Sequence, residues 1–295
     1  MAVLSDISVD APVQSASAGY WDSVLRRLAH DPVAMLAAAV LTVIVLAAIF
    51  APFVAPADPY KGMMLRRLRP VGDALYRLGS DELGRDMLSR LIYGGRLTLF
   101  MGVLPVACAF AVGSSLGILA GYRGGWVNML IMRVIDVFYA FPSVLLAVAL
   151  SGALGAGIFN AVVSLTIVFI PPIARVAEAV TTQIRGRDYI EAARASGAGA
   201  LTIIRVHVLG NVLGPIFVYA SSLISVSMIL ASGLSFLGLG SKPPEPEWGL
   251  MLNTLRTAIY VQPAVAALPG VMIFITSISF NLLSDGLRSA MEVKS

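Results

Sequence analysis

Few residues in this chain are placed to do chemistry. A phosphate-cradling loop for ATP hydrolysis is glycine-rich and ends in Lys-Ser or Lys-Thr. Lys61, Lys242 and Lys294 are instead followed by Gly, Pro and Ser, without the preceding glycines. ATP hydrolysis is therefore not expected of this chain. His30 and His207 are the only histidines and lie far apart with no clustered carboxylates or thiolates, so a zinc or nickel site built from this chain alone is not expected either. Cys108 is the single cysteine, which excludes an intramolecular disulfide and reads as a packed thiol in an apolar run. The ionisable groups nearest the long apolar runs are Asp136, Arg175, Glu178 and Asp285, all near run ends. A proton-coupled carrier needs such a group near the bilayer midplane, and these four read as anchors at span ends.

The elements that hold these residues follow from hydropathy. Of 295 residues, 58% are hydrophobic and 13% charged, with a mean hydropathy of +0.84, whereas a soluble domain carries about 25% charged residues. A bilayer core takes roughly 20 helical residues. Three uncharged intervals, Asp31 to Asp58, Arg96 to Arg123 and Arg256 to Asp285, each run about 26 to 28 residues and predict one span apiece. Val33 to Ala55, about 23 residues, is longer than the apolar core of a cleaved signal and reads as a retained first span.

The uncharged stretch between Asp136 and Arg175 is too long for one crossing. Gly152, Gly155, Gly157 and Asn160 near its middle predict a turn between two arms. The first arm borrows residues from Val127 onward; the second runs from Phe159 to Ala177 with Pro171 and Pro172 kinking it. Val212 to Ser235 predicts one more span, followed by a glycine-rich exit at Leu234 to Gly240. The fold class expected is all-α, a polytopic membrane protein with six transmembrane helices. Residues 1–20 lack periodicity and are expected to form a mobile tail. Lysine and arginine are nearly balanced between the two sides, so the positive-inside bias sets no orientation. The formal net charge of +4, spread between apolar runs, points to lipid head groups and topology rather than nucleic acid.

The hydrophilic segment between the fourth and fifth spans carries the most pattern. Asp188 and Glu191 are spaced as a capping box for a short helix that Gly197 ends. Leu201, Ile204 and Val208 stripe one face of a second short helix, Leu201 to Leu209, which predicts an amphipathic helix-turn-helix outside the lipid. Its apolar face either packs on its own spans or receives a partner. Ala192 and Ala193 would let another surface approach the backbone, with Glu191 available for a polar contact.

Glu191-Ala192-Ala193, Gly197 and the ending His207-Val208-Leu209-Gly210-Asn211 resemble the EAA loop by which permeases of binding-protein-dependent ABC importers dock their ATPases; Gly210 stands where the family has proline. Gly79-Ser-Asp81-Glu-Leu-Gly84-Arg85-Asp86 resembles the GTDxxGRD segment of the second, C-type permease of the dipeptide, oligopeptide and nickel group. Gly121-Tyr-Arg-Gly-Gly125-Trp126, Phe141-Pro142-Ser143, Pro243-Pro244, Glu247-Trp248-Gly249 and Asn281-Leu-Leu-Ser-Asp285-Gly-Leu-Arg288 are similar to the same group. The matches cover the chain from about Asp31 to Met291, in order between the expected spans.

The resemblance implies a type I ABC importer permease-like fold. It implies a cytoplasmic tail over 1–32, a first transmembrane helix over 33–56, an external loop over 57–96, a five-helix core over 97–285 containing a cytoplasmic ATPase-docking loop over 178–211, and a cytoplasmic tail over 286–295. The docking residues it implies are Arg187, Asp188, Glu191, Ala192, Ala193, Gly197, His207, Leu209 and Asn211. The partners it implies are a second homologous permease, two cytoplasmic ATPases that carry ATP and Mg, and a periplasmic or lipid-anchored substrate-binding protein, all at the bacterial inner membrane with both termini cytoplasmic. No cofactor is expected in this chain. Di- or oligopeptides are the expected substrate, with a nickel chelate or glutathione as the alternative within the family and a channel or secondary carrier as the alternative outside it. The external first loop is arginine-rich and reads as a surface amphipathic element, with Leu83, Met87, Leu88, Leu91 and Ile92 toward lipid or protein and Arg85 and Arg90 at head-group level.

Overall fold

The computed structural model describes residues 20–291; Lys294 and the tail expected ahead of Tyr20 lie outside them. The described residues are mostly helical, with a long irregular loop before Met87 and extended structure limited to two isolated bridges, Gly62–Arg85 and Ser80–Asp86. The helices are α1 (Tyr20–Ala29), α2 (Pro32–Ile49), α3 (Ala51–Val54), α4 (Met87–Arg123), α5 (Gly125–Tyr139), α6 (Ser143–Leu154), α7 (Ile158–Arg185), α8 (Asp188–Ala195), α9 (Ala200–Ile203), α10 (Leu209–Phe236), α11 (Trp248–Thr254) and α12 (Pro263–Met291). Five of them, α2, α4, α7, the run of α9 into α10, and α12, are long and apolar enough to cross a membrane. The pair α5 and α6, bent by 87° between them, makes a sixth span if it counts as one.

Helix starts follow local chemistry. Asp31 caps α2, accepting from the amides of Val33 at 2.9 Å and Ala34 at 3.2 Å, with Pro32 in the first turn where its missing N–H costs nothing. Asp86 caps α4 in the same way, accepting from the Ser89 amide and hydroxyl. That cap sets the helix start at Met87, inside the stretch expected to be loop. The bend between α5 and α6 falls at Ala140 to Pro142, where Pro142 cannot continue the hydrogen-bond ladder of α5. The expected first arm is thus broken rather than straight. The turn at Gly155 to Gly157 joins α6 to α7, and the Asn160 amide group donates to the carbonyls of Leu154 and Gly155.

Packing is organised around α4, which lies against α7, α10, α2 and α5. Its contact with α7 depends on Ala109, Gly113, Gly117 and Gly121, four residues apart on one face. A Cβ added at Gly117 would lie 2.3 Å from the Ala174 carbonyl oxygen and 2.6 Å from Ala177 Cβ. Without side chains the backbones come close enough for dense van der Waals contact, which replaces the hydrophobic drive that lipid does not supply. α12 packs on α10 and α2, and the short helix α1 lies against α12 and α2 with Val24 buried. The segment expected to be a tail over 1–32 therefore includes a docked helix.

Candidate coupling surface and the opposite cap

At one end of the bundle, α8 and the start of α9 form a hairpin beyond α7. Arg187 is the N-cap residue of α8, and Asp188 and Glu191 both lie in its first turn, facing the positive end of the helix dipole. The expected capping box is absent: no side chain caps α8, because the helix begins at Asp188 itself rather than one residue after it. Gly197 ends the element as expected, with φ of +82°. The Ala198 amide donates to the Ala193 carbonyl at 3.1 Å and the Gly197 amide to Arg194 at 2.9 Å. Those two bonds form a Schellman motif, which a residue other than glycine would strain.

The second arm differs from the expected short helix. It runs without a turn from α9 through a π-helical segment, Ile204–Val208, into α10. The wider π turn changes the face: Ile203 and Val208, five residues apart, are buried at 1% and 0%, whereas Leu201 of the expected stripe is 78% exposed. Ile190 of α8 is buried in the same cluster, with Ala193 and Leu209 half-buried against it. The hairpin is thus seated on its own spans by Ile190, Ile203 and Val208. Arg185 ties α7 to the end of α4 through the carbonyls of Gly121 and Tyr122, and Arg194 lies 5.7 Å over the Tyr122 ring.

Of the residues singled out in the sequence, Arg187, Asp188, Glu191 and Ala192 are exposed on the outer face of α8. His207 is half-buried, its ring 6.3 Å from that of Tyr189. Asn211 donates to the His207 carbonyl at 2.6 Å. Gly210 lies inside α10, not at a helix break, and a Cβ there would meet open space.

At the other end, two segments far apart in the chain form one cap. Asp81 is its hub: Oδ1 accepts from the amides of Leu83 and Arg85, both at 2.9 Å, and Oδ2 from Arg85 Nε at 2.6 Å. Arg90 pairs with the same oxygen at 3.3 Å, and its Nη1 donates to the carbonyls of Pro59 at 3.0 Å and Pro244 at 3.5 Å. Arg85 and Arg90 are 7% and 2% exposed. The expectation that they sit at head-group level is corrected: both guanidinium groups lie in the interior beside a shared carboxylate, with Arg90 Nη1 on carbonyl acceptors, although Arg90 Nε makes no hydrogen bond. Of the apolar residues expected to face lipid or protein, Met87 and Leu91 are buried in the protein and Leu83 is exposed.

The Glu247-Trp248-Gly249 motif completes the cap. Glu247 caps α11, accepting from the amides of Gly249 at 2.9 Å and Leu250 at 2.8 Å, and receives the Thr98 hydroxyl at 3.2 Å. Burial pushes its carboxyl up from the ordinary 4.5, against the lowering effect of those donors. Trp248 is fully buried and donates to the Leu91 carbonyl at 2.9 Å. Gly94 leaves the room, since a Cβ there would lie 2.0 Å from the Pro246 carbonyl oxygen. Thr257 to Glu82 at 2.7 Å and Tyr60 to Glu245 at 3.2 Å tie the two segments further. The charges near span ends also find partners: Arg175 pairs with Asp136 and stacks on Tyr139, and Glu178 accepts from Asn128 and Thr182.

Spans packed through small residues, with an amphipathic hairpin at one end and a folded cap at the other, define a multi-pass helical membrane protein. Residues 113–293, more than half of the chain, match the binding-protein-dependent transport system inner membrane component family, and residues 19–70 match the N-terminal TM domain of oligopeptide transport permease C. The chain belongs to the family of inner membrane components of binding-protein-dependent transport systems, and so is a permease of an ABC importer. It is 39% identical over 292 residues to the glutathione transport system permease protein GsiD of Pectobacterium atrosepticum, covering 99% of this chain and 94% of that protein. Its identity to the protein of that name from Escherichia coli O6:K15:H31 is 41% over 274 residues, covering 93% and 90%. The fold is similar to an inward-facing structure of the MetNI methionine ABC transporter, with a TM-score of 0.57 and 23% identity over 69% of this chain and 97% of that one.

Proposed function

We propose that this chain forms half of the translocation pathway of an ATP-driven importer and that its α8 hairpin docks a cytoplasmic ATPase. The observation that supports docking is the division of α8 into an inner face held by Ile190 and an outer face displaying Arg187, Asp188, Glu191 and Ala192. Such a hairpin passes force to α7 and α10 instead of absorbing it by local rearrangement, because both of its arms are anchored in the core. ATP-driven closure of two ATPases would rock the spans between outward and inward access, a two-state change with energy supplied by the partners. This reading places the hairpin and both termini in the cytoplasm, the Asp81 cap outside, and the second permease and a substrate-binding protein as further partners. ATP and Mg would be held by the ATPases.

Glutathione is the substrate we propose. The relatives above are glutathione permeases over nearly their whole length, which favours the alternative over general di- or oligopeptides. The test is purification in detergent of this subunit, tagged after Ser295, with its bound proteins identified by mass spectrometry, followed by glutathione uptake into proteoliposomes. Recovery of a second permease and an ATPase, with ATP-dependent uptake, supports the reading. A homo-oligomer alone would overturn the docking role.

A further inference from the structure

We propose that the face of α5, α6 and α7 carrying Asp136, Arg175 and the bend at Pro142 lines the water-filled pathway of the transporter, facing neither lipid nor a dry subunit contact. This deepens the importer reading above and rests on it. The ion pair of Arg175 with Asp136 is open to its surroundings, the two side chains being 47% and 42% exposed. Its depth follows from packing on α4, whose run from Leu97 to Tyr122 carries no charge. Gly113 of that run lies against Ile170 and Ile173, and Gly117 against Ala174 and Ala177. Arg175 is therefore level with Gly117, about 9 Å inside the end of the run at Arg123. Nor does its side chain turn back toward head groups. Asn128 of α5 donates to Glu178 of α7, so Asp136, eight residues further along α5, stands about 12 Å deeper. The Arg175 guanidinium reaches in that direction, onto Asp136 and to 4.9 Å from the ring centroid of Tyr139, the last residue of α5.

A charged pair at that depth is not presented to lipid; it faces protein or a water-filled cavity. A second observation lies on the same face. α5 and α6 meet at 87° with Phe141 exposed at the bend, and a helix end at membrane depth leaves carbonyls that need donors from water or protein. Beside the bend, a cleft of about 310 Å³ is lined by Tyr139 and Ser143, by Pro171 and Pro172 of α7, and by Leu223 and Val226 of α10. Its walls all belong to this chain, and the ion pair beside it supplies the polar partners that keep water in such a cleft. Interrupted helices next to a cavity near the middle of the bilayer are a device by which membrane transporters offer polar backbone to a passing solute. By contrast, α2 and the charge-free run of α4 expose Leu36, Val43, Phe100 and Val112 and no ionisable group, a surface that suits lipid.

The test is thiol accessibility in the assembled transporter in proteoliposomes. In a Cys108→Ser background, reporters are placed one at a time: Ser143→Cys and Val226→Cys on opposite walls of the cleft, and Val43→Cys on the apolar face of α2. The reagent is the membrane-impermeant cation MTSET, which reacts with the thiolate and so needs water at the sulfur. Both cleft reporters are expected to be labelled about ten-fold or more faster than Val43→Cys. AMP-PNP with Mg is expected to change their rates and not that of Val43→Cys, as a pathway alternating between two sides requires. Should one cleft reporter fail to assemble, the other decides. Rates equal to that of Val43→Cys overturn the lining, whether the face then meets lipid or, by bismaleimide cross-linking of Ser143→Cys to the second permease, a dry subunit contact. Fast rates that nucleotide leaves unaltered would make the cleft a fixed water pocket and overturn the pathway. Glutathione uptake is scored separately: an importing complex with slow cleft reporters overturns the lining alone, whereas fast reporters in a homo-oligomer lacking an ATPase overturn the importer reading and leave the water-lined face standing.

Discussion

Arg90 Nε stands 3.3 Å from Asp81 Oδ2, the oxygen that also receives Arg85 Nε at 2.6 Å. One carboxylate therefore holds two buried guanidinium groups, one from the loop before α4 and one from its first turn. Asp81→Asn leaves both cations without an anion, which costs about 3–5 kcal/mol for a buried pair. The exposed Arg77→Ala should stay within about 0.5 kcal/mol. Thermal unfolding in detergent checks both, and equal midpoints for the two variants would show that the cap does not depend on Asp81.

Gly117 and Gly210 should respond oppositely to alanine. A Cβ at Gly117 meets the Ala174 backbone oxygen at 2.3 Å, which a backbone must move to relieve, and overpacking of this kind costs about 1–3 kcal/mol or more. At Gly210 a Cβ meets nothing, so alanine in this helix should gain up to about 1 kcal/mol. Unfolding midpoints shifted down and up respectively are the expected result.

Glu191→Lys combined with Ala192→Asp changes only the exposed face of α8. ATP hydrolysis stimulated by the binding protein is expected to be lost while insertion and unfolding midpoint stay unchanged. Ala193 is the poorer choice for this test, because it is half-buried against the core. Unchanged stimulation in the double variant would remove the hairpin from the coupling path.

Glu247 gives a pH dependence. Its carboxyl is pushed above the ordinary 4.5 by burial, so its contribution to stability is fully present below that value and is lost as pH rises through the folded value. Glu247→Gln removes this titration. The wild-type midpoint should fall relative to that of the variant as pH is raised from about 5 to 8, and parallel profiles would show that the carboxyl is not carrying it.

Several of these features are legible in the chain itself. Asp31, Asp86 and Gly197 act where local rules place them, since a cap or a left-handed turn depends on residues a few positions away. The seat of the hairpin is legible only in part. Ile190, Ile203 and Val208 meet because a π turn widens the repeat to five residues, and a 3.6-residue pattern points to Leu201 instead. The glycine stripe of α4 is detectable by its four-residue spacing, whereas its partner on α7 is not.

By itself, the sequence determined that the chain spans a membrane, where its charge-free runs lie and which local motifs end its helices, because each depends on hydropathy or on neighbours in the chain. Only the tertiary structure decided that Arg85 and Arg90 are interior rather than at the surface. Asp81 lies within nine residues of both, but the environment that makes the pairing a buried one is supplied by the carbonyls of Pro59 and Pro244, the latter more than 150 residues away in sequence. That juxtaposition is a property of how the spans pack and has no local signature in the chain.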